Sequence, residues 1–130
     1  MSDPLATGAR ISRALGVLPA TYSIRPGSID TTFVPFFLVQ SDCKASSVYV
    51  IPGEEVLAEL SAQLIIYYKR GLSTSILYSG TISSWPIRSK TVLASPGTIL
   101  QDEDILLLKV TPAPSNPLPN LLVGVELELT

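Results

Sequence analysis

The residues that could do chemistry in this chain are few. It has no histidine, which removes the usual general base, the Ser–His and Cys–His nucleophile pairs and the commonest metal ligand. One thiol, Cys43, stands in the polar, turn-like segment Ser-Asp-Cys-Lys. With no partner cysteine it forms no internal disulfide, and with no imidazole to activate it a nucleophilic role is disfavoured. One cysteine also cannot build a zinc site. Asp102, Glu103 and Asp104 form an acidic run. It could present carboxylates to Ca²⁺, but such a run more often forms a solvated turn ahead of a strand. Glycoside hydrolysis needs two carboxylates across a sugar ring. Glu54 and Glu55 are adjacent and Glu126 and Glu128 alternate along one strand, so nothing singles out a pair. Trp85, Tyr67, Tyr68 and Tyr78 could form a sugar platform, although Trp85 before Pro86 more often caps a core. The chain therefore reads as a non-enzyme without metal or cofactor.

The elements that would position these groups are strands. The 130 residues suit one domain. Leu121 to Thr130 alternates cleanly, with Leu121, Val123, Val125, Leu127 and Leu129 on one parity. Phe33 to Val39 is a strand with Pro35 marking an edge or bulge. Ser47 to Ile51 is closed by Pro52-Gly53. Val56 to Lys69 places Val56, Ala58, Leu60, Ala62, Leu64, Ile66 and Tyr68 on one parity. The same stretch also carries a helical stripe, and the run Ile65-Ile66-Tyr67-Tyr68 tips it to strand. Turns at Lys69 to Leu72 and Ala94 to Gly97 separate Ser75 to Trp85, Lys90 to Leu93 and Ile105 to Thr111. Pro112 to Asn120 holds four prolines and forms a rigid loop. About eight short strands without helix–strand alternation predict an all-β fold, an antiparallel sandwich of jelly-roll type spanning residues 31–130.

Residues 1–30 differ from the rest. Gly8, Gly16, Pro19, Pro26 and Gly27 interrupt any period. This stretch reads as an extended N-terminal arm. Ile11, Leu15, Val17, Leu18, Tyr22 and Ile24 make it too apolar for a solvated tail, and they are the candidate partner-binding residues. Charged residues are only 15% of the chain and apolar ones 46%, against roughly 25% charged in an average domain. Part of the surface is therefore expected to be covered by other protein. Net charge is −2 and the nine basic residues are scattered, which argues against nucleic acid as a partner. No stretch approaches the about 18 apolar residues of a membrane span. No secretory signal is read near the start, and synthesis in the cytosol is expected.

Four features together resemble the small jelly-roll proteins of tailed-phage virions, the capsid cement or decoration proteins and related knob domains of head and tail fibres. They are the turn and strand Ile51-Pro52-Gly53-Glu54-Glu55-Val56-Leu57, the segment Tyr78-Ser79-Gly80-Thr81-Ile82, the acidic loop feeding Asp104 to Thr111, and the alternating strand Leu121 to Thr130. The resemblance covers residues 31–130 in pattern and order, with no diagnostic motif and no functional residue to carry over. It implies a homotrimer on the capsid surface of a bacteriophage, bridging major capsid protein subunits and gripping the shell with a terminal arm. The alternative is a receptor- or carbohydrate-binding module of a phage head or tail fibre.

Overall fold

The computed structural model describes residues 17–24, 33–56, 62–111 and 120–129. Nine strands appear among them: β1 (Val17–Ile24), β2 (Val34–Leu38), β3 (Cys43–Pro52), β4 (Gln63–Arg70), β5 (Ser73–Thr81), β6 (Thr91–Ala94), β7 (Thr98–Leu100), β8 (Ile105–Thr111) and β9 (Leu121–Leu129). They form two antiparallel sheets packed on one core, so the fold is an all-β sandwich. The front sheet runs β1-β9-β3-β6, with β7 also on β3, and the back sheet runs β2-β8-β4-β5. No helix among the described residues is long and apolar enough to cross a membrane.

The hydrophobic alternation of β9 makes it the centre of the front sheet. Leu121, Val123, Val125 and Leu127 are buried, while Glu126 and Glu128 lie on the outer parity. β9 pairs with β1 from Ile24↔Leu121 to Val17↔Glu128, and with β3 from Pro52↔Leu121 to Cys43↔Leu129. Leu64 and Ile66 of β4 and Leu106, Leu108 and Val110 of β8 supply the back half of the core. Their period-2 spacing is what a strand needs to place every second side chain inward.

Several boundaries differ from the sequence expectation. β3 begins at Cys43 rather than Ser47, because a bulge between Ala45 and Ser47 resets the parity. Cys43, Ala45, Val48 and Val50 are thereby all buried, a set that no strict alternation connects. Cys43 is thus a core residue and not part of a turn. β4 starts at Gln63, not Val56, with Ala62, Leu64 and Ile66 on the buried parity. The segment 57–61 lies outside the described residues. β5 ends at Thr81, so Trp85 stands beyond the strand. β7 was not foreseen: it extends the line of β6 along β3 after an interruption at Ser95–Gly97, where the Gly97 N–H donates to Ala45 O at 2.9 Å. Pro35 does mark both an edge strand and a bulge, since β2 borders the back sheet and slips register between Pro35 and Phe37. Residues 17–24, read above as arm, form an edge strand of the front sheet.

The two ends of the sandwich are unequal. The strands on either side of residues 25–33, 53–62, 82–90 and 112–120 meet at one end, joined by Gly53 N–H to Asn120 O (2.7 Å), Arg88 N–H to Pro52 O (2.7 Å) and Ile82 N–H to Ala62 O (2.8 Å). The opposite end is closed by the short connections 39–42, 71–72 and 101–104. Gly71, at φ +60°, supplies the positive φ that a two-residue hairpin turn requires.

On the outside of the front sheet Tyr49 lies over Gly124, its register partner, and a Cβ at 124 would fall on the Tyr49 ring. Gly124→Ala should therefore cost about 1–3 kcal/mol in denaturant unfolding through overpacking. Paired with Tyr49→Ala it should cost clearly less than the two single losses added. Simple additivity would show that the contact is not what excludes a side chain there.

Candidate interaction surface

The acidic run does structural work. Asp104 is 1% exposed and links β7 of the front sheet to β8 of the back sheet. Its carboxylate accepts a fork from Arg70 at the end of β4, Nη2 at 2.7 Å and Nε at 3.0 Å, and a third bond from the Gln101 N–H at 2.8 Å. Arg70 Nη2 also reaches Ile99 O at 3.4 Å. The Asp104 N–H donates to Gln101 O at 3.0 Å, and Glu103 holds φ 73° to close the turn. Burial opposes ionisation of Asp104. The hydrogen bonds from Arg70 and Gln101 and the guanidinium charge outweigh it, so the carboxyl sits below its ordinary value. Both oxygens of Asp104 are thus engaged within the fold. Among the described residues no group of three or more His, Cys, Asp or Glu could hold a metal ion. An open depression of about 370 Å³ beside this pair is lined by Lys69 and Arg70 facing Asp102 and Glu103.

Cys43 is enclosed at the same end. A cavity of about 30 Å³ lies among Phe37, Val39, Cys43, Leu127 and Leu129, with Gln40 and Ser41 at its polar side. Burial, then the charges of Asp104 and Asp42, push the thiol up, which is opposite to what a nucleophilic cysteine needs. The aromatic candidates do not converge. Trp85, Tyr68 and Tyr78 are partly buried and pack against the core, while Tyr67 is on the opposite side of β4. Trp85 thus covers core rather than displaying its indole.

The candidate arm residues fall in three groups. Ile11 and Leu15 lie outside the described residues. Val17, Leu18 and Ile24 stand in β1 opposite Glu128, Leu127 and Leu121. Tyr22 is half-buried against the core, its ring 6.2 Å from that of Phe36. Tyr22 therefore joins β1 to β2 of its own domain.

The surface that sequence reasoning missed is the outside of the back sheet. Register places Pro35, Leu107, Tyr67 and Ile76 in one row across all four strands, and Leu38, Ile105, Lys69 and Thr74 in the next. Lys109, Ile65 and Ser79 form a third, in which Ile65 is buried. Phe33 sets its ring edge-on to Tyr67 at 4.9 Å, with Lys109 Nζ 4.9 Å from the Phe33 centroid. Ile76 is 59% exposed, and Leu38 and Phe33 are about half exposed. The signal was present in Ile105-Leu106-Leu107-Leu108, where both parities are apolar, the mark of a strand covered on both sides. The outside of the front sheet differs. There Lys44 pairs with Glu128 at 3.7 Å, and Lys90 pairs with Glu126 while lying over the Tyr49 ring.

In comparison with known proteins, no family model, no curated protein and no solved structure matches the chain.

The Asp104 carboxylate yields a pH prediction. Its folded pKa is depressed below the unfolded value of about 3.9. Its stabilisation is therefore complete above that value and is lost as pH falls through the folded pKa. Asp104→Asn should cost about 1.5–3 kcal/mol at pH 7 and flatten the acid limb of a stability-versus-pH curve. An unchanged acid limb would assign the acid sensitivity to other groups. Arg70→Lys should be intermediate, since an ammonium cannot fill the fork.

Proposed function

We propose that this chain is a structural subunit of a phage virion, a decoration protein that docks on the assembled capsid and adds contacts to it. The observation that carries this reading is the outside of the back sheet, an apolar surface crossing four strands with exposed Ile76, Leu38 and Phe33 at its margins. Contiguous apolar surface of this kind marks a protein contact. The strand order supports the same reading. With β6 and β7 counted as one interrupted strand, the sheets read β1-β9-β3-β6/β7 and β2-β8-β4-β5, an order that supports reading the sandwich as a jelly roll.

The mechanism is linkage. A subunit that binds the assembled shell and not its dissociated parts stabilises the shell by mass action. Assembly of the chain as a homo-oligomer, a trimer in the family it resembles, makes attachment multivalent, so that weak contacts sum to strong retention. The partners in this reading are the major capsid protein and further copies of the chain, and the location is the capsid surface. The arm contributes only through residues N-terminal to β1. Deleting residues 1–30 would also strip β1 from β9, so a truncation that tests the arm must leave Val17–Ile24 in place.

The test is cosedimentation with assembled heads that lack this protein. The wild-type chain should pellet with the heads. Ile76→Asp, a surface change expected to alter stability by no more than about 0.5 kcal/mol, should reduce pelleting on the order of tenfold or more. Retention equal to wild type would overturn the docking face. An Ile76→Asp variant that binds heads normally yet loses adsorption to host cells would favour the fibre-module reading instead.

A further inference from the structure

We propose that the outer face of the back sheet takes a protein surface that is itself apolar and carries carboxylates set to meet Lys69 and Lys109. The inference rests on the reading of this face as the docking face and specifies the chemistry of what it binds.

The four back-sheet strands contain no Asp or Glu. Their cations are Lys69, Arg70 and Lys109, and Arg70 is engaged by Asp104. Two lysines thus stand on an apolar face whose strands offer no acid. Lys109 pairs in register with Ile65, and Lys69 lies four residues further along β4. At a rise of about 3.3 Å per residue and a strand spacing of about 4.8 Å, their Cα atoms are roughly 14 Å apart. Lys109 is further held over the Phe33 ring, which fixes one charge at the margin of the patch. The front sheet answers both of its outward lysines with glutamates of its own. Among the described residues neither Lys69 nor Lys109 forms an ion pair with a carboxylate, and Lys69 borders the depression that Asp102 and Glu103 also line.

This charge pattern selects among occupants. Two copies laid face to face would bring four lysines together without a carboxylate on the strands, and like charges confined at an interface are unfavourable. An anionic membrane is normally held by clusters of four to eight basic residues, and this face presents two. An apolar protein surface bearing carboxylates satisfies both the exposed side chains and the two ammonium groups.

The experiment has two arms. In the first, the ¹⁵N-labelled chain is titrated with a short soluble peptide of Leu, Ser and Glu, with its Leu, Ser and Lys counterpart, and with phosphatidylglycerol vesicles. The Glu peptide should shift amides of β4 and β8. The Lys69→Glu, Lys109→Glu double variant should bind it about tenfold more weakly at low salt, the difference shrinking at about 0.5 M salt as screening shortens. Equal response to both peptides, no response, tighter binding to vesicles, or a change of native mass in Ile76→Asp that reveals a self-interface would overturn the inference. In the second arm, heads are cosedimented with the double variant. Undiminished binding there, with Ile76→Asp defective, refutes the charge inference and leaves the docking face intact. Undiminished binding of Ile76→Asp as well refutes the docking face itself.

Discussion

One buried carboxylate ties the two sheets together at the short-connection end of the sandwich. Asp104 sits where the chain leaves the front sheet for the back sheet, and Arg70, at the far end of β4, reaches across to it through two nitrogens. A carboxylate this enclosed is tolerated only when its lone pairs are filled. The fork and the Gln101 N–H supply three bonds to its two oxygens. Around this point the end of β2 is tied in by Val39 N–H to Asp104 O at 2.8 Å and Glu103 N–H to Val39 O at 2.7 Å. The short-connection end of the domain is thus built as one polar clamp over an apolar core. The strand ends that flank the long connections meet at the other end.

With the ends so fixed, the two outer faces are free to differ, and they do. The front face pairs lysines with glutamates across strands and sets Tyr49 over Gly124, with Val92 and Ile99 as its exposed apolar residues. The back face places leucine, isoleucine, proline and aromatic side chains in rows that no part of the core requires. Single exposed apolar residues are ordinary on a protein surface. Rows of them across four strands, with Lys69, Lys109, Thr74 and Ser79 among them, are what the proposed docking role rests on. The low charge content of the chain has its structural counterpart here rather than in an unusually large interior.

Much of the fold was legible because alternation is a local property. β9 and the core parity of β4 follow directly from their side-chain periods. The β2 edge and bulge follow from Pro35. What was not legible depends on breaks in that period. The bulge between Ala45 and Ser47 hides the link between Cys43 and Val48. The register slip between Ile66 and Tyr67 lets Leu77 enter the core of β5 beside Tyr78. β7 is three residues long after a proline and a glycine and carries no period at all. The Arg70–Asp104 clamp joins residues 34 apart in sequence, so the acidic run read as a solvated turn ahead of a strand, and the turn is there but its last carboxylate is buried. Val17 to Ile24 read as an arm because Pro19 obscures its strand character, although every residue of it pairs with β9. The apolar outer face of the back sheet was not legible for a related reason: it joins residues of β2, β4, β5 and β8 that only the strand register brings together.

The central claim is that the back face, and not the front face or the long-connection end, meets the shell. Hydroxyl-radical footprinting of the free and head-bound protein reads this directly. Phe33, Tyr67, Ile76 and Leu107 should lose reactivity on binding, while Tyr49 and Val92 of the front sheet and Ile87 at the long-connection end keep theirs. Protection of Val92 or Ile87, with Tyr67 and Ile76 still fully reactive, would contradict the account.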